Sequence, residues 1–145
     1  MLRVVFDTSV LVSVALTPKG VPAQAYEAWR ALRFSLFTTQ AIIHEVRTTL
    51  GYARIRRRYD CAEAADGMMR ALHEKAMFVS GTAEVNVYVR DPKDYMILSA
   101  AAEAEAHVLV SSDQDLLVLG SYEGTMILTP RQFLTWLNEF EPEEP

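Results

Sequence analysis

One cysteine, Cys61, occurs among 145 residues, so the chain can form no internal disulfide and offers no thiolate cluster to zinc. Histidine is scarce too: His44, His73 and His107 stand at no zinc-binding spacing. Six glycines leave no GxGxxG and no Walker pattern, which excludes the common glycine-rich phosphate loops. No apolar run approaches the roughly 18 residues that a bilayer-spanning helix needs. The opening MLRVVFD lacks the long apolar segment of a secretory signal. A cytoplasmic chain without membrane attachment is expected. Basic residues are outnumbered, 14 Lys and Arg against 19 Asp and Glu. The resulting charge of −5 argues against non-specific nucleic-acid binding by the whole surface.

What is present is a globular composition, 50% hydrophobic and 23% charged, in a length suited to one domain over residues 1–145. Charge is uneven along it. RIRRR at 54–58 is a compact basic run, and EFEPEEP at 139–145 reads as an acidic tail. The basic run is either a solvated helix face or a local contact to phosphates.

Apolar patterning predicts strands and helices in alternation. Val4-Val5-Phe6 belongs to a buried strand over 2–6, followed by a short helix over 8–16. Pro22 suits the first turn of a helix to about Arg33, with Ala25, Ala28, Trp29 and Leu32 on one face. FSLFT at 34–38 reads as a second strand. Thr39 can cap a helix whose stripe is Ile42, Ile43, Val46 and Leu50. Residues 52–76 are helical in composition, with Met68 and Met69 as core filler. A short strand near 77–79, a helix from Pro92 to about Ala106, strands at 107–111 and 125–129, and a helix opened by Pro130 complete the order. Alternation of this kind implies a three-layer α/β/α sandwich around a mainly parallel sheet. Ligands of such sheets bind outside the carboxyl ends of the strands.

Acids gather where that rule points. Asp7 follows the first strand, and Asp113 and Asp115 follow the strand HVLVS. Asp94 lies in the first turn of the helix at Pro92, and Glu45 lies within the Ile42–Val46 stripe. Each has a plainer role open to it: Asp7 and Asp113 as helix caps, Asp94 as a partner of the helix dipole, Glu45 as a surface residue. Carboxylates drawn to one sheet edge repel one another without a cation, and an oxygen-only set suits Mg²⁺ or Mn²⁺. A hard cation so held fits phosphoryl chemistry. A haloacid-dehalogenase-type phosphatase also opens with a strand and an acid, but it requires a second acid at position 9, which is serine.

In order, VVFDTSVLVS, IIHEV, RDPKDYMILSAA, HVLVSSDQDLL and TPRQFLTWL resemble the motifs of the PIN domain family, in particular the toxins of bacterial and archaeal toxin–antitoxin pairs. The resemblance runs almost the full length. It implies a metal-dependent endoribonuclease in which Asp7, Glu45, Asp94 and Asp113 are catalytic. Asp7, Asp94, Asp113 and Asp115 would be the metal ligands. Asp94 rather than Asp91 matches the third acid, because Ile97-Leu98 follows it at the family's distance. Ser9 matches a small polar residue that supports a ligand or its water, and Ser111 the hydroxyl before the fourth acid. Ser112 departs from the pattern, standing where many relatives have glycine. By the same resemblance Arg54, Arg56, Arg57 and Arg58 lie near the cleft, positioned for RNA or an antitoxin. Tyr52 and Tyr59 beside them suit base stacking. An RNA substrate, a cognate antitoxin and a homodimer are the partners implied. The rival reading is a catalytically silent PIN-like module that binds RNA or protein.

Overall fold

A computed structural model describes residues 1–140. The five residues 141–145 of the expected acidic tail lie outside them, and Glu139 and Phe140 belong to the last helix. Six strands form one sheet, in chain order β1 Arg3–Phe6, β2 Ser35–Thr38, β3 Met77–Phe78, β4 Val108–Val110, β5 Ser121–Tyr122 and β6 Thr125–Leu128. Their spatial order is β3-β2-β1-β4-β6-β5. Every pairing is parallel except β5 with β6. Helices cover this sheet, giving the α/β/α sandwich that the alternation implies.

The first helices are α1 Thr8–Leu16, α2 Val21–Arg30 and α3 Gln40–Leu50. After them come α4 Ala53–Arg58, α5 Ala62–Lys75, α6 Pro92–Glu103, α7 Gln114–Leu117 and α8 Pro130–Phe140. None is long and apolar enough to cross a membrane. The core runs through Val4, Val5 and Phe6 of β1 and Val108, Leu109 and Val110 of β4, which the helices bury on both faces. Phe6, Phe34 and Phe133 pack edge-on or tilted with ring centroids 5.2–6.3 Å apart, joining β1 to α8. Met68 is buried and Met69 partly so, both as packing.

Three expectations need correction. The helical stretch 52–76 breaks at Tyr59, whose backbone is extended, because Cys61 turns inward to the core at the start of α5. Leu32 is not on the inward face of α2. The helix ends at Arg30, and Leu32 takes a left-handed φ of 66° that leaves its side chain exposed. The helix from Pro92 stops at Glu103, short of Ala106. One strand had no signal in the apolar pattern. β5 pairs with β6 through a two-residue turn, Glu123-Gly124, with φ of 47° and 85°. Positive φ at both positions suits the twist of a tight hairpin.

Candidate functional site

Strand register places the first two site residues side by side. Phe6 of β1 pairs with Val110 of β4, so the next residues, Asp7 and Ser111, emerge together at the carboxyl ends of neighbouring strands. The Asp7 N–H donates to the Val110 carbonyl at 2.9 Å, and the Ser111 N–H to Leu128 at 2.9 Å, so both backbones are fixed by the sheet. The Ser111 hydroxyl donates to Asp7 Oδ2 at 2.6 Å and accepts from the Asp113 N–H at 3.0 Å. A short relay thus connects the loop after β4 to the acid after β1. Ser9 adds its N–H and hydroxyl to Asp7 at 3.4 and 3.3 Å, so Asp7 also caps α1. Asp113 caps α7 by accepting from the Asp115 N–H at 2.9 Å. Capping and clustering are therefore compatible roles of one carboxylate.

Asp7, Glu45, Asp94 and Asp113 line one cleft, together with Thr8, Ser9, Thr49, Asp91 and Lys93. Asp94 is the acid least reconciled to its surroundings. It is 4% exposed, and its Oδ2 is buried with no hydrogen-bond partner. Burial pushes its carboxyl up to about 7, and the charges of Asp113, Asp7 and Asp91 push the same way. Burial raises Asp7 as well, while the Ser111 and Ser9 hydrogen bonds oppose it and Asp113 adds to it. One carboxylate oxygen each of Asp94, Asp113 and Asp115 lie within 4.8 Å of one another, an arrangement that could hold a cation. Asp7 stands outside that trio but is close enough for its charge to act on Asp94.

The two outer acids have partners on the chain. Glu45 accepts a 2.8 Å hydrogen bond from Lys93 Nζ. That contact raises the ammonium above its ordinary range. Asp115 accepts from the Nε–Nη2 edge of Arg90, with Nη2 at 2.8 and 3.1 Å and Nε at 3.3 Å. Sequence patterning picked out neither cation. The signal lay in RDPKD itself, where Asp91 caps α6 and bases flank it at 90 and 93. The histidines stay apart: His73 bonds Arg47 and stacks on Phe78, and His107 accepts from the Arg3 N–H.

The arginine run occupies α4, of which no residue is buried. Arg54 lies over the Tyr52 ring at 5.4 Å, and Arg58 over Tyr59 at 5.6 Å. Tyr52 is also near enough to Lys93 to influence its charge, which sets the start of α4 beside the cleft.

An all-oxygen donor set, a buried orphan carboxylate oxygen and mutual repulsion together fit a hard divalent cation. Residues 3–115 match the family model described as PIN domain. A Methanocaldococcus jannaschii protein named as uncharacterized protein MJ1680 is 20% identical over 147 residues, spanning 96% of this chain and 94% of its own. The fold is similar to the crystal structure of PAE2754 from Pyrobaculum aerophilum, with a TM-score of 0.63 at 18% identity over 95% of this chain and 90% of that one.

Proposed function

The chain belongs to the PIN domain family, whose members are generally metal-dependent nucleases, and on that premise we propose that it is a Mg²⁺- or Mn²⁺-dependent endoribonuclease. The observation that carries this reading is the buried, unpartnered Oδ2 of Asp94 in a cleft shared with Asp7 and Asp113. Such an atom costs free energy unless something positive meets it.

Asp7, Asp94 and Asp113 are the residues that would hold the ion, with Asp115 within reach of the last two. A bound hard cation supplies Lewis acidity: it acidifies water and neutralises charge on a leaving oxygen. The chain's own share is positioning. Ser111 and Ser9 hold the Asp7 carboxylate against rotation, so its orientation does not depend on the ligand. The sheet fixes the backbones of Asp7 and Ser111, which keeps the acids in place as substrate enters. No histidine lines the cleft among the described residues, so the proton taken from the attacking water goes to solvent or to a carboxylate. Hydrolysis by this route leaves a 5′ phosphate and a 3′ hydroxyl.

The exposed arginines of α4, with Tyr52 at the cleft, are suited to follow a single-stranded RNA backbone and stack a base. A toxin role, with a cognate antitoxin and a homodimer, rests on the resemblance of the five motifs alone. The test is RNA cleavage by the purified chain with Mn²⁺ or Mg²⁺ against EDTA, beside Asp7→Asn and Asp94→Asn. Metal-dependent cleavage lost in both variants supports the nuclease. Folded wild-type protein that binds but never cleaves a varied RNA pool would establish the silent binding module instead.

A further inference from the structure

The five candidate acids at the carboxyl edge of the sheet are not equivalent. Asp94 has an orphan oxygen, and Asp7 and Asp113 are bonded to neutral donors. Glu45 and Asp115, in contrast, each hold a cation of the chain, and both cations come from one short segment, residues 90–93. Asp115 is the informative case. It belongs to the trio whose oxygens converge within 4.8 Å, yet both its oxygens are engaged by Arg90. A carboxylate held by the Nε–Nη2 edge of a guanidinium has part of its acceptor capacity used and its charge offset. An incoming cation must therefore share this carboxylate with Arg90 or displace it.

We infer that Arg90 is a built-in counter-cation of the metal centre, holding Asp115 until a divalent ion competes for it. The inference rests on the metal-centre reading above. Arg90 offsets the repulsion among the acids before the ion arrives, at the expense of ion affinity. Its side chain is 80% exposed, so it can leave Asp115 without crossing the core. An exposed pair of this kind is weak, which makes the exchange easy in both directions. Once released, the guanidinium is next in sequence to Asp91, which lines the cleft, and is free to meet an entering phosphodiester. Lys93, with 63% of its side chain exposed, holds Glu45 in the same way from the other end of the segment.

The test is calorimetric titration of Mn²⁺ into the full-length protein at fixed ionic strength. Arg90→Gln frees Asp115 and is expected to tighten Mn²⁺ binding by about threefold to fivefold, the upper part of the range an exposed ion pair is worth. Arg70→Gln removes the same charge from an exposed position on α5 that does not line the cleft, and is expected to change affinity by less than about twofold, since salt screens exposed charges. An Arg90→Gln affinity within about twofold of wild type, or an equal gain in Arg70→Gln, overturns the inference while leaving the metal centre standing. Wild-type protein that binds no Mn²⁺ at all overturns both. Arg90 is too exposed for its loss to unfold the chain, and circular dichroism of each variant checks this.

Discussion

Ser111 Oγ donates a 2.6 Å hydrogen bond to Asp7 Oδ2 across 104 positions of sequence. Both residues are buried, and each is the first beyond a parallel strand of the central pair. That bond joins the first motif to the fourth, and it works against the burial that raises Asp7.

Ser111→Ala removes the donor and leaves a buried carboxylate short of one partner. The expected loss is about 1.5–3 kcal/mol of unfolding free energy at pH 7, the range for a hydrogen bond to a charged group. Urea denaturation of the metal-free protein measures it. A loss below about 0.5 kcal/mol would mean that water replaces the hydroxyl.

Asp94 makes the metal-free fold sensitive to pH. Its carboxyl is raised from 3.8 to about 7, so between those values the native state binds more protons than the unfolded chain. Stability from this group is then fully present below about pH 4 and is lost as pH rises through 7. Thermal melts in EDTA should show Tm falling across that window, with a shallower fall in Asp94→Asn. Saturating Mn²⁺ should restore Tm at pH 8 in wild type, by binding the native state alone, and far less in the variant.

The match to the family ends at residue 115, but the core does not. Phe133 of α8 is fully buried against Phe6 and Phe34. Phe133→Ala should cost about 3–5 kcal/mol, as large-to-small changes in a packed core do. A cost under about 1 kcal/mol by chemical denaturation would show that α8 is not part of the cooperative unit.

Neutralising Arg56, Arg57 and Arg58 together to Gln should weaken single-stranded RNA binding alike for all sequences. If all three contact phosphates, the slope of log K against log salt should shrink by about 2, at about 0.7 per contact. Binding is measured in the Asp94→Asn background, so that cleavage does not interfere. An unchanged slope would leave α4 a solvated surface.

Local chemistry in the sequence reaches a long way here. Val4-Val5-Phe6, HVLVS and the Ile42–Leu50 stripe are apolar in the period of the element they form, because each is buried against its neighbours. Thr39 at the start of α3 and Pro92 and Pro130 in the first turns of α6 and α8 stand where capping chemistry places them. The Glu123-Gly124 hairpin and the break at Tyr59 escaped, since a Glu-Gly turn is a weak signal and Cys61 turns inward only because the core receives it.

By itself, then, the sequence determined the alternation of elements and which acids follow which strands, both of which depend on near neighbours. Tertiary structure decided how those acids differ. Strand register set Ser111 against Asp7, packing stripped Asp94 Oδ2 of any partner, and the course of residues 90–93 brought Arg90 to Asp115 and Lys93 to Glu45. The physical reason is range: caps and apolar periods act over a few residues, whereas desolvation and charge pairing depend on whatever the fold brings within a few ångströms.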